Sequence, residues 1–170
     1  LYTRNEPLGF DNNPSPGNKA GGLTTILEKS LGAVAKGGTT NLVDVYGYGA
    51  PIAKRGLVFM DSPGFDPISA TGQVAGGANL IAFTTGRGSC FGCRPAPSIK
   101  LATNSAMFRR MEEDMDIDCG PILDGTISID EMGEIIFANM LATASGGATK
   151  SEQLGYGDDE FAPWHVNAWL

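Results

Sequence analysis

Two short apolar runs separated by a helix-like stretch constrain this chain more than any other feature. Gly56-Leu57-Val58-Phe59-Met60 and Leu80-Ile81-Ala82-Phe83 are short and almost wholly apolar, and read as buried strands. Between them Asp66-Pro67 supplies an N-cap and a proline at the first helical position. The helix runs to about Val74 and stops at Gly76-Gly77. Strand, helix, strand over this distance is a βαβ unit, at about 57–84, with parallel strands and a right-handed crossover. The fold class that follows is α/β: a small, mainly parallel sheet flanked by helices, in a Rossmann-like three-layer arrangement. The loops at 61–65 and 84–95 then leave one edge of the sheet. That brings Asp61, Ser62, Thr84, Thr85 and Arg87 into one neighbourhood, at the edge where ligands bind in such folds.

The remaining segments arrange themselves around this unit. Residues 1–22 are an irregular lead-in dense in Gly, Pro and Asn. Thr25 and Glu28 have capping-box spacing, and Ile26, Leu27, Leu31 and Val34 share one helical face before Gly37-Gly38. Asn41 to Val45 reads as a strand. Pro95 and Pro97 exclude a helix directly after the central loop. Ser98 to Thr103 reads as a strand of alternating character, and Asn104 or Ser105 caps a helix to about Met111 whose Met107, Phe108 and Met111 face inward. Asp116 to Cys119 is a further short strand. Ser128 and Glu131 form a capping box, and Ile129, Met132, Ile136, Phe137, Met140 and Leu141 make the inner stripe of the longest helix. The α/β domain is expected over 23–148, with an aromatic-bearing tail, 149–170, docked on it.

Composition narrows the function classes. With 170 residues, 42% hydrophobic, the chain suits one domain with a sizeable core. Net charge is −7 with no basic stripe, so a nucleic-acid partner is not expected. No apolar run approaches the ~20 residues of a membrane span. Three cysteines in an acidic chain of this size point to a reducing, cytoplasmic setting. The chain opens on Leu1 and its first residues have no periodicity, from which we expect a piece of a longer protein.

The chemistry concentrates in Phe83-Thr84-Thr85-Gly86-Arg87-Gly88-Ser89-Cys90-Phe91-Gly92-Cys93-Arg94-Pro95. Its glycines let backbone N–H groups approach a ligand, and a guanidinium offers a planar fork for a carboxylate or phosphate. At a strand exit this is the composition of an anion site. Gly86-Arg87-Gly88 is no dinucleotide fingerprint, because a third glycine and a following helix are absent. A second Gly-rich stretch, Gly17 to Gly22, leads toward a helix N-terminus with Lys19 nearby, also favourable for an anion. Cys90 and Cys93 form a C-x-x-C pair. Only Cys119 and His165 remain to complete a zinc site, and Pro95 argues against a thioredoxin-like pair, so plain thiols are expected and no iron–sulfur cluster. His165, the lone histidine, reads as a tail packing residue. Glu112, Glu113 and Asp114 are a solvated face. Asp66 is assigned to helix capping. Glu28 either caps its helix or looks toward the Gly-rich loop as a ligand.

Gly17-Asn18-Lys19-Ala20-Gly21-Gly22-Leu23-Thr24-Thr25, Glu28-Lys29-Ser30-Leu31-Gly32, Thr84-Thr85-Gly86-Arg87-Gly88 and Pro97-Ser98-Ile99-Lys100-Leu101-Ala102-Thr103-Asn104 occur in one order. Together they resemble the C-terminal region of the altronate and galactarate dehydratases, over nearly the whole chain from about Asn13. The resemblance implies a hydro-lyase that removes water from a sugar acid to give a 2-keto-3-deoxy acid. It also implies a divalent metal, iron(II) or manganese(II), upstream domains of the same enzyme, and possible homo-oligomers. A related branch is a sulfolactate sulfo-lyase, a C–S lyase. The family carries small or hydroxylated residues and glycine near positions 90 and 93, so the cysteines hint at another substrate. On this resemblance Arg87, Lys19 and Glu28 are the catalytic candidates. Asn18, Thr24, Thr85, Gly86, Arg87 and Gly88 are the substrate-binding candidates, and Asp61 and Glu28 the metal candidates. The general base is left open, with the upstream part as one place for it, and the piece alone is expected to be inactive. The rival from another class is a non-catalytic domain that binds an anionic metabolite.

Overall fold

The computed structural model describes residues 14–163. Its helices are α1 (Pro16–Ala20), α2 (Ile26–Ala35), α3 (Asp66–Ala75), α4 (Ser105–Arg110), α5 (Ile129–Ala144) and α6 (Lys150–Gln153), and its strands are β1 (Leu42–Tyr46), β2 (Leu57–Met60), β3 (Ile81–Thr85), β4 (Ser98–Ala102) and β5 (Ile117–Asp118). Small parallel sheets flanked by helices make this an α/β fold, as the strand–helix alternation predicts. One feature differs. Hydrogen bonding divides the strands into a two-stranded sheet, β1–β2, and a three-stranded sheet, β3–β4–β5, every pair parallel. The strand–helix–strand succession at 57–84 is present, but its two strands pair in different sheets. The shared sheet edge inferred for Asp61 and Arg87 therefore does not follow from strand pairing.

Local signals placed most elements. Ser128 accepts from Glu131 N, and the Glu131 carboxylate accepts from Ser128 N, closing a capping box at α5. Thr149 and Glu152 do the same at α6. Gly146, at φ 99°, follows α5 in a conformation that glycine adopts without cost. Two local readings shift. The stretch at 16–20, read as irregular, is a helical turn capped by Ser15. Asp66 is the first residue of α3 and makes no side-chain cap; Phe65 precedes it in extended backbone.

The core forms around β4. All five of its residues are buried, where an alternating strand was expected, because elements cover both of its faces. Ile99 and Leu101 pack with Ile117 and Met132, and with the partly buried Ile136 and Met140 of α5. Ala102 packs with Met107 and Met115, flanked by Phe108 and Met111, so these methionines fill core as read. Of the stripe predicted on α5, Ile129, Phe137 and Leu141 are exposed. On α2, Ile26, Leu27, Leu31 and Val34 share a face, and that face is exposed too.

Two parallel neighbouring strands need a crossover. Between β3 and β4 this is the segment 86–97, which contains neither helix nor strand. It carries Phe91, Cys93 and Ala96 into a cluster with Ala70 and Ile81, and the Phe91 ring stacks on Phe83 with centroids 5.3 Å apart. The tail holds the same segment from outside. Gly92 N donates to Glu160 at 2.7 Å, Arg94 N to Gly157 O at 3.2 Å, and the Arg94 guanidinium pairs with Asp158. Ala162 N reaches Thr71 Oγ1 on α3. Trp164 and His165 lie outside the described residues. No helix among the described residues is long and apolar enough to cross a membrane.

Burial separates the β4 core from the exposed apolar face of α2 in a measurable way. Ile99 is fully buried, so Ile99→Ala is expected to cost about 2–5 kcal/mol in urea unfolding of this chain. Leu27 is 78% exposed, so Leu27→Ala should change stability by less than about 0.5 kcal/mol. A Leu27→Ala cost comparable to that of Ile99→Ala would mean that α2 packs against something in solution.

Candidate functional site

The turn after β3 is fixed from two sides. Thr85 Oγ1 accepts from Gly88 N, and Thr85 O accepts from Thr103 N and Thr103 Oγ1. Asn104, which also caps α4, donates through Nδ2 to Gly86 O, and Arg110 donates to Arg87 O. These bonds hold backbone atoms and leave the Arg87 side chain to point elsewhere. It lies against α1: a Cβ added to Gly17 would meet Arg87 Nη2 at 3.3 Å. Gly88 has φ 96°, a conformation that favours glycine, and a Cβ there would also have to displace the Met111 thioether.

The Gly-rich stretch thus meets the central loop. Asn18 closes the α1 capping box with Ser15, and its Oδ1 also accepts from Lys29 Nζ at 3.0 Å, linking α1 to α2. Lys19 is exposed in the last turn of α1. Of the two roles left open for Glu28, the observed one is local capping. Its Oε2 accepts from Thr24 N at 2.9 Å and Thr24 Oγ1 at 2.6 Å. Those Thr24 hydrogen bonds hold the Glu28 carboxyl below its ordinary value. Thr25 Oγ1 in turn accepts from Glu28 N.

Asp61 is at a different corner. Asp61 N donates to Tyr46 O, and Ser62 Oγ meets Ser69 Oγ at 3.0 Å, so both belong to the β2–α3 junction. Among the described residues no three His, Cys, Asp or Glu side chains converge, so neither Asp61 nor Glu28 belongs to such a group. These residues do not by themselves form a divalent-metal site. Cys90 is exposed while Cys93 is buried, so the pair does not share one environment. Burial raises the Cys93 thiol above its ordinary value, away from the thiolate that metals and redox chemistry use.

The sequence reading passed over Lys100. It stands at the centre of β4, 0% exposed, and its Nζ is the one buried side-chain polar atom without a hydrogen-bond partner among the described residues. Burial pushes its ammonium below the ordinary value of 10.5, and Asp116, Asp114, Cys90 and Glu160 pull weakly the other way. No local signal marked it: a lysine between Ile99 and Leu101 fits the alternation of a strand with one solvated face.

Comparison with known proteins agrees with the motif blocks. The family model described as D-galactarate/altronate dehydratase, C-terminal, matches residues 2–168. The galactarate dehydratase (L-threo-forming) of Escherichia coli K12 is 43% identical over 144 residues, 84% of this chain and 28% of the relative. The altronate dehydratase of the same strain is 36% identical over 141 residues, again 28% of its length. The (2R)-sulfolactate sulfo-lyase subunit beta of Chromohalobacter salexigens is 37% identical over 147 residues, 86% of this chain and 38% of the relative. The chain thus spans less than a third of the dehydratases it matches.

The orphaned amine has a thermodynamic signature. A lysine whose folded value is depressed binds fewer protons folded than unfolded, so stability rises with pH between the folded value and 10.5. Lys100→Met removes the buried charge and keeps the volume. It should raise Tm at pH 7 by about 2–4 °C, the equivalent of ~1 kcal/mol at this size. The gain should shrink as pH climbs toward 10.5. Calorimetric melts across pH 7–10.5 check it; a lower Tm for Lys100→Met at pH 7 would mean the ammonium has a partner.

Proposed function

The chain belongs to the D-galactarate/altronate dehydratase C-terminal family, and from that we propose that it is the C-terminal segment of a hydro-lyase dehydrating a sugar acid of the galactarate or altronate type to a 2-keto-3-deoxy acid. The carrying observation is the meeting of two separated motif blocks, with the Arg87 guanidinium against Gly17 beside Asn18 and Lys19. Elimination next to a carboxylate develops negative charge on the carboxylate oxygens, and cationic groups fixed beforehand stabilise that charge. Arg87 supplies a bidentate fork for the carboxylate, and Lys19 a second positive charge at the same end of the chain's fold. Gly86 leaves room for its N–H group to approach the same oxygens, while the Gly88 N–H is held by Thr85 Oγ1 and shapes the turn. Thr85 and Asn18 act by shaping the two loops. Thr24 and Glu28 order the lead into α2.

The divalent-metal requirement, iron(II) or manganese(II), we assign to groups supplied by the rest of the enzyme, because the described carboxylates do not converge. The similarity to a sulfolactate sulfo-lyase subunit favours a second reading, a C–S lyase acting on a hydroxy acid. Both readings share elimination beside a carboxylate. The higher identity to the galactarate enzyme puts dehydration first.

Two outcomes follow. Purified alone with iron(II) or manganese(II), this chain should yield no detectable 2-keto-3-deoxy acid from galactarate or altronate; clear turnover would show that the segment is a complete catalyst. In the full-length enzyme Arg87→Lys keeps the charge and loses the fork. It should lower kcat/KM by at least ~10-fold, about 1.4 kcal/mol, and Arg87→Ala by more. A normal kcat/KM with a depressed Tm in Arg87→Ala would make Arg87 a structural contact of α1 instead.

A further inference from the structure

We propose that Lys100 is the base of the elimination, its Nζ taking the proton from the carbon beside the substrate carboxylate; this rests on the hydro-lyase reading above. Lys100 is in register with Phe83 on β3, so both side chains leave the same face of the sheet. The crossover 86–97 returns over that face, and the Phe83–Phe91 stack marks where it lies. The Lys100 amine is enclosed beneath it with no hydrogen-bond acceptor.

The acidic groups around it are engaged elsewhere. Asp116 accepts from Lys100 N through one oxygen and from Lys150 N through the other. Glu160 accepts from Gly92 N. Asp114 lies further along the same surroundings. A desolvated amine not neutralised by a direct ion pair gives up its proton more readily than a solvated one, which is what a base needs. The crossover also carries Gly86, Arg87 and Gly88, so the proposed carboxylate-holding groups lie on the segment that covers the strand bearing the base.

The two halves of that connection differ in how they are held. Residues 91–97 are fixed by the core cluster and by the tail. Gly86, Arg87 and Cys90 are exposed, and this half rests on backbone bonds to Thr85, Asn104 and Arg110.

The step balances without a further reactant. The Nζ lone pair takes the proton; the C–H electron pair moves into the carboxylate as an enediolate. Collapse of the enediolate breaks the bond to the hydroxyl on the next carbon. That hydroxyl leaves as water with the proton returned by the Lys100 ammonium, and the enol product becomes the keto acid in solution.

The test uses the full-length enzyme with galactarate and altronate. Lys100→Met and Lys100→Arg should fold and bind the sugar acid within about 3-fold of wild type by calorimetry. Turnover should fall roughly 100- to 10,000-fold, in Arg as in Met, since a guanidinium does not give up its proton. Ethylamine should partly restore Lys100→Ala, and in deuterated water only enzymes with an amine at this place should exchange the proton beside the carboxylate. Lys100→Met or Lys100→Arg keeping a tenth of turnover overturns the proposal. Wild type that exchanges the proton without forming keto acid, with exchange lost in Lys100→Met, sinks the dehydration and upholds the base. Wild type doing neither removes both.

Discussion

β4 is covered on both faces, and the position of most described elements follows from that. Ile99 and Leu101 turn toward α5, and Ala102 toward the methionines around α4. Ser98 and Lys100 turn toward the crossover and the tail, with Ser151 on α6 buried nearby. Fully burying one aliphatic side chain stabilises by about 1.5–3 kcal/mol. A cluster such as Ile99, Leu101, Ile117 and Met132 can therefore tolerate one unpartnered amine in the same strand. Because β3 and β4 run parallel without an intervening helix, the connecting segment must itself cover a sheet face. That is why the loop richest in functional groups is also part of the core.

This double duty explains how the loop is built. Phe91, Cys93 and Ala96 anchor one half by apolar contact, while the other half is tied through backbone carbonyls of Thr85, Gly86 and Arg87. Backbone ties leave side chains free, so Arg87 can reach α1 without disturbing the turn. The tail adds charge contacts from outside, through Asp158 and Glu160. The Arg94–Asp158 pair is exposed, and exposed pairs of this kind stabilise by at most about 1 kcal/mol. They act more as guides for the tail than as bolts.

The sequence showed what is decided locally. Ser128 with Glu131, Thr25 with Glu28 and the paired glycines after α5 could be read because a cap or a stop involves residues three or four apart. Asp66 moved by one position, a shift that side-chain capping alone could not foresee. The division into two sheets was not visible, since an apolar run states that a strand is buried and not which strand it pairs with. Leu27 and Phe137 show the same limit from the other side: an apolar helical face announces a partner without placing it. In the site, the Arg87 loop and the α1 stretch were each legible by composition. Their contact through Gly17 was not, because it joins residues seventy positions apart. Lys100 escaped because long side chains usually carry their charge to solvent from half-buried positions.

The β1–β2 pair has a bearing on how this segment behaves as a material. Among the described residues both of its strands are edges, and Leu42, Val43, Val45 and Phe59 present apolar surface along them. Such an edge is a template on which a second chain can lay a strand. Against this stands a net charge of −7, which repels like copies at long range. At about 0.15 M salt that repulsion reaches only ~8 Å, little more than the spacing between strands. Ionic strength becomes the control on whether copies of the segment stay dispersed or join edge to edge.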